Sequence, residues 1–185
     1  MPISPAAVSS SAMHGAVVPI AYGVGNGTSS NISFTNIPQT YQDLMIVGFS
    51  RSDYSTSTGF SYYLNVSGLG NFSETILTGS GSSASSSRIT STACYGVQSP
   101  FMPFSTSTSG VFSSTELHIL NYTNSTTYKT SILRNACDLN GSGETDLIVN
   151  TYLNTSPITS IAIATNGNFV TGTTFALYGI RTVGQ

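Results

Sequence analysis

Charge is what this 185-residue chain has least of: Asp, Glu, Lys and Arg make up 6% of it, against about 25% in an average globular domain. Five basic residues, Arg51, Arg88, Lys129, Arg134 and Arg181, stand against seven acidic ones, for a formal net charge of −2. The bases are scattered. A phosphate backbone needs clustered cations that neutralise several phosphates, so no nucleic-acid partner is expected. Tryptophan is missing, and there are two histidines and two cysteines. No apolar run approaches the ~20 residues of a membrane-spanning helix, so no membrane partner is expected either. The mildly apolar stretch 12–24 has no Lys or Arg before it, and a secretory signal needs that positive start.

Hydroxyls fill the space that charges leave. Ser and Thr together occupy about 30% of positions, and the apolar fraction is 39%. A neutral hydroxyl surface lacks the self-repulsion that keeps proteins apart, and it suits a chain locked into an assembly or living outside cells. Eight Asn-x-Ser/Thr triplets, at Asn65, Asn121 and Asn154 among others, follow from that composition, since glycosylation needs the secretory route. Cys94 and Cys137 either form one disulfide or are two small buried hydrophobes. Without a secretory signal, free thiols are expected.

Residues 1–30 show no period and carry Pro2, Pro5 and Pro19, which forbid a regular helix. An extended, irregular N-terminal arm is expected there, docking through Val8, Met13, Val17, Val18, Ile20 and Tyr22. From residue 31 to 185 the period is two, the mark of strands. Residues 31–37, 42–52, 59–68, 73–79, 114–136, 144–154 and 156–165 read as strands or hairpins separated by Gly, Asn and Ser. In 42–52 Leu44 and Ile46 share one face, and Met45, Val47 and Phe49 the other, which reads as burial on both sides. Residues 144–154 put Leu147, Val149 and Leu153 on one face. The Ser/Gly-rich segment 79–93 reads as a flexible loop. Pro100 and Pro103 mark an edge or loop, where Phe101, Met102 and Phe104 either contact a partner or cap the end of the core. The apolar segment 159–180 reads as a closing hairpin that supplies central strands. Eight to ten short strands and no convincing helix indicate an all-β, antiparallel two-sheet sandwich, jelly-roll-like.

Residues suited to catalysis do not converge. There is no G-x-S-x-G nucleophile elbow, and His118 shares a strand face only with Glu116. The Gly-rich "GVGNG" (23–27) precedes no helix and so fails as a phosphate loop. The nearest thing to a metal site is "DLNGSGETD", where Asp138, Asn140, Ser142, Glu144 and Asp146 alternate as oxygen donors for a hard cation. It departs from a calcium loop at the twelfth position, Val149, and a polar hairpin turn explains it better. No cofactor, no zinc site and no enzyme activity are expected.

Two phrases carry a resemblance. "ISFTNIPQTYQDLMIVGFSRS" (32–52) and "ITSIAIATNGNFVTGTTFALYGI" (158–180) are similar to segments of small structural proteins of tailed bacteriophages. In that group one phrase opens the domain (here Phe34, Ile37 to Tyr41, Asp43 and Leu44). A second closes it (Gly167 to Phe169, Gly172, Phe175 and Leu177 to Ile180). Members resemble capsid decoration or cement proteins, head fibres, and tail or fibre components. The resemblance implies a place on the capsid surface of a virion, the major capsid protein as partner, and self-association as a homotrimer. The alternative it implies is a tail-fibre or receptor-binding module for host glycans, with an aromatic platform drawn from Tyr54, Tyr62, Tyr63 or Tyr95.

Overall fold

The computed structural model describes residues 17–65, 72–91 and 100–181. Among them every regular element is a strand: β1 (Val17–Val24), β2 (Asn31–Phe34), β3 (Asp43–Ser50), β4 (Thr58–Leu64), β5 (Phe72–Gly79), β6 (Ala84–Ser91), β7 (Phe101–Met102), β8 (Ser113–Ile119), β9 (Lys129–Asp138), β10 (Gly143–Tyr152), β11 (Ile161–Thr165) and β12 (Thr174–Ile180). They make two antiparallel sheets. The larger has eight strands in the order β1-β12-β3-β8-β9-β10-β5-β6, and the smaller has four, β2-β11-β4-β7.

Alternation of side chains explains the core. Leu44 and Ile46 of β3, Leu117 and Ile119 of β8, and Phe175 and Leu177 of β12 point inward from the large sheet. Ile32, Phe34, Phe60, Tyr62, Leu64, Ile161 and Ile163 join them from the small one in a single cluster. Contacts cross between the sheets: the Phe60 and Phe175 rings meet edge to face at 5.7 Å, and the Tyr62 hydroxyl lies 2.8 Å from Ser131 Oγ. Toward β5, β9 and β10 the inner surface turns polar. There Asp146 accepts from Thr78 Oγ1 at 2.8 Å and from the Phe101 N–H at 3.1 Å. Asn135 donates to the Phe101 carbonyl and accepts from Thr115. These partners offset the cost of burying a carboxylate and an amide.

Three expectations change. Residues 17–24 are not irregular: β1 pairs with β12 from Val17–Ile180 to Val24–Thr174, with a register shift between Pro19 and Ala21. A proline fits there because β1 is an edge strand, where a missing N–H costs no ladder bond, and the shift masks the period. Segment 79–93 is not a loop throughout, because β6 pairs with β5 from Phe72–Ser91 to Gly79–Ala84. From Ala84 to Thr90 its side chains are exposed apart from the half-buried Ile89, so no apolar alternation announces it. Finally, 159–180 is not a hairpin. β11 lies inside the small sheet and β12 inside the large one, and residues 166–173 cross from one to the other.

That crossing is fastened. Asp53 accepts from the Asn168 N–H at 2.6 Å and from its Nδ2 at 3.0 Å. Gly167 sits at φ +71°, where an added Cβ would lie 2.5 Å from Asp53 Oδ1.

Candidate interaction face

The candidate catalytic and metal-binding side chains can be placed. His118 faces outward on β8, and its Nε2 lies 3.3 Å from Asp43 Oδ2. Glu116 instead meets Arg134 Nη1 at 3.4 Å. In the sheet register His118 is flanked by Met45 and Ile132, so an apolar strip surrounds it. Asp138 and Glu144 belong to opposite faces, since Asp138 aligns with the outward Arg134 and Ala136, and Glu144 with the inward Asp146. The five oxygen donors from Asp138 to Asp146 therefore do not converge on one cation. No cluster of three or more metal-ligating acidic, His or Cys side chains occurs among the described residues.

The cations are mostly engaged internally. Arg51 donates to the carbonyls of Phe104, Ser107, Thr108 and Val111 at 2.8–3.0 Å, pinning loop 103–111. Lys129 is buried, and its ammonium donates to Thr127 O and Thr155 O at 2.9 Å. Burial lowers its pKa. Arg181 lies 5.9 Å from the Tyr41 ring centroid. Cys137 is a free, buried thiol; burial first, then the Asp138 carboxylate, pushes its pKa up to about 11. Such a thiol packs as a small hydrophobe. Cys94 lies outside the described residues, as do Val8, Met13 and Tyr95.

Phe101 and Met102 are buried, and Phe104 is half-buried with its ring edge-on to Phe101. They cap the core rather than present a surface. Val17 and Tyr22 are exposed on β1, whereas Val18 and Ile20 are half-buried and Ile20 packs against the core. Of the tyrosines, Tyr62 is buried, Tyr63 half-buried and Tyr54 exposed.

What the structure brings together is the outer face of the large sheet, whose β3 side chains the sequence reading expected to be buried. Val47 (43% exposed), Phe49 (48%), Leu77 (51%), Leu147 (42%) and Val149 (41%) all point to solvent. The partly exposed Met45, Ile132 and Tyr178 fill between them. Strand pairing arranges these side chains in rows across the sheet. One runs Ala176–Val47–Glu116–Arg134–Leu147–Leu77, and its neighbour Tyr178–Met45–His118–Ile132–Val149–Thr75. An open groove of about 420 Å³ lies over the first row between Ser114, Glu116, Arg134 and Leu147. Exposed apolar side chains grouped on either side of the Glu116–Arg134 pair make this face the candidate interaction site. Its signal was present in β3 and β10. Both strands are apolar on the face opposite the core, which a single chain reads as burial but which a partner can bury instead. In β10 the core side is Asp146, Ile148, Asn150 and Tyr152, not Leu147, Val149 and Leu153.

No family model, curated protein or solved structure matches the chain.

Proposed function

We propose that this chain is a jelly-roll structural protein of a bacteriophage virion, and specifically a capsid decoration protein that bridges subunits of the major capsid protein. One observation carries the reading: the strand pairs are nested. Taking β1, β2, β3, β4, β7, β8, β11 and β12 in order, the first pairs with the last, the second with the seventh, the third with the sixth and the fourth with the fifth. That nesting supports reading the body as one long hairpin rolled around a common core, in the manner of the double-sheet jelly rolls of viral capsid and lectin domains. The β5–β6 and β9–β10 hairpins are insertions that widen one sheet.

The two phrases behind the phage resemblance support it from another side. They meet in space, since β3 pairs with β12, and their polar and aromatic residues serve the body. Tyr41 covers Gly179, where a Cβ would lie 2.3 Å from the ring. Gln39 Nε2 donates to the carbonyls of Ile37 and Ile158, and Phe169 packs edge-on against Phe175. A neutral, hydroxyl-rich body that spends its signature residues on folding acts through its surface. Burial between neighbouring capsid subunits then opposes the outward pressure of packed DNA.

A second reading has one observation in its favour. A polar cleft of about 640 Å³ lies between the β5–β6 and β9–β10 turns, with Ser80, Ser82, Asp138, Ser142 and Glu144 in its wall. Hydroxyl and carboxylate groups suit a glycan, although the lining holds no aromatic ring for a sugar face. Quantitative mass spectrometry of purified virions tests the first reading: the chain should occur at a fixed molar ratio to the coat protein. Its absence from the particle, together with glycan binding that Asp138→Ala abolishes, would transfer the assignment to the second.

A further inference from the structure

The outer face of the eight-stranded sheet is self-complementary about its own midline. Four strands, β1, β12, β3 and β8, lie on one side of the β8–β9 boundary, and four, β9, β10, β5 and β6, on the other. Consider a two-fold axis parallel to the strands and running just above that boundary. It keeps each residue at its height along the strand and exchanges left for right, so each row meets itself reversed. Glu116 of one copy then faces Arg134 of the other, and Arg134 faces Glu116, because the two are direct cross-strand neighbours. Outward from the axis, Val47 faces Leu147 and Ala176 faces Leu77. In the adjacent row His118 faces Ile132, Met45 faces Val149 and Tyr178 faces Thr75.

We infer that this face is a two-fold interface between two copies of the chain, packed sheet on sheet, with a pair of exchanged Glu116–Arg134 contacts at its centre. Symmetry makes every contact count twice, as an isologous interface requires. The size fits. Eight strands ~4.8 Å apart, with outward rows spanning about 20 Å, give a face on the order of 700 Å², close to the ~800 Å² per partner of a standard-size interface. The composition is apolar on either side of a polar centre, where the Glu116–Arg134 pair lies in the row beside His118 and its Asp43 partner, and these charged groups set the register. Two large sheets facing each other at the ~10 Å spacing of packed sheets would leave both small sheets outermost.

This inference goes beyond the virion assignment and does not need it: a dimer found in solution leaves that assignment open, and a monomer that still decorates capsids sinks only the dimer. The test is sedimentation equilibrium of the full chain. Wild type should sediment at twice its 19.3 kDa mass. Arg134→Glu sets Glu against Glu twice and should weaken the dimer at least ~10-fold; Glu116→Arg should do the same. The double variant Glu116→Arg/Arg134→Glu restores opposite charges and should recover affinity to within ~3-fold of wild type. Leu147→Asp, away from the charged pair, should also yield monomer, and thermal melts of each variant report whether the body still folds. A wild-type monomer at ~100 µM, a trimer, an Arg134→Glu variant that dimerises like wild type, or a double swap that fails to recover would each overturn the inference.

Discussion

Gly48 lies on the inward face of β3, where a methyl group would sit 2.4 Å from Phe175 Cε1 and 2.6 Å from Cδ1. Phe175 is fully buried and meets Phe60 and Phe169 edge to face, both at 5.7 Å, so its ring has nowhere to go. Gly48→Ala should therefore cost about 2 kcal/mol by overpacking. That corresponds to a fall in Tm of roughly 4–8 °C for a domain of this size. Gly79→Ala, where nothing lies within 4 Å, should stay within about 0.5 kcal/mol, and thermal denaturation of the two variants makes the comparison. Asp53 supplies a pH signature at the same scale. Hydrogen bonds from the backbone and side chain of Asn168 hold its pKa below the usual value. A depressed carboxylate stabilises fully above its unfolded value near 3.9 and loses that contribution as the pH falls through the lower folded value. The Tm gap between wild type and Asp53→Asn should be constant above about pH 5 and narrow progressively as the pH falls below the unfolded carboxylate value. Cys137 gives a third check. With its thiol buried and its pKa near 11, a Cys94→Ser variant should react with a thiol reagent at pH 8 at least ~100-fold more slowly when native than when unfolded.

Strands differ in how firmly they are held, and in how plainly the sequence announces them, for the same reason. β3 and β12 lie inside the large sheet and bury Leu44, Ile46, Phe175 and Leu177. β6 is a sheet edge, exposed from Ala84 to Thr90 apart from Ile89, which packs against the core. Amide hydrogen exchange should find β6 exchanging at least ~100-fold faster than β3 and β12, since its opening releases little core contact beyond Ile89; equal protection would mean that β6 is covered. A buried face is also what writes alternation into a sequence, so β3, β4, β8 and β12 are legible in it and β6, all Ser, Thr and Arg88 outside Ala84 and Ile89, is not. β1 escapes notice because the register shift beside Pro19 breaks its period. Residues 166–173 read as a tight corner because Asn166, Gly167 and Asn168 are turn formers, yet they link strands of different sheets, and spacing alone carries no sheet membership. The outer face is the instructive case. Met45, Val47 and Phe49 are visible in the sequence as a second apolar side of β3. Only the pairing of β3 with β8 and β12 shows that this side faces away from the core.

At the scale of the whole molecule, the polar chemistry of the described residues is directed largely inward. Arg51 pins a loop, Lys129 closes a turn, Asp146 and Asn135 hold β7 to the large sheet, and Asp53 secures the crossing between sheets. Outward, the large sheet offers exposed apolar side chains and the chain a surface rich in hydroxyls. The most direct measurement is add-back to capsids assembled without this protein, followed by heating. The account predicts saturable binding of the full chain and a higher temperature of capsid disruption, with Leu147→Asp shifting the protein's self-association but not its fold. Capsids that neither bind the chain nor gain heat resistance from it would contradict the account.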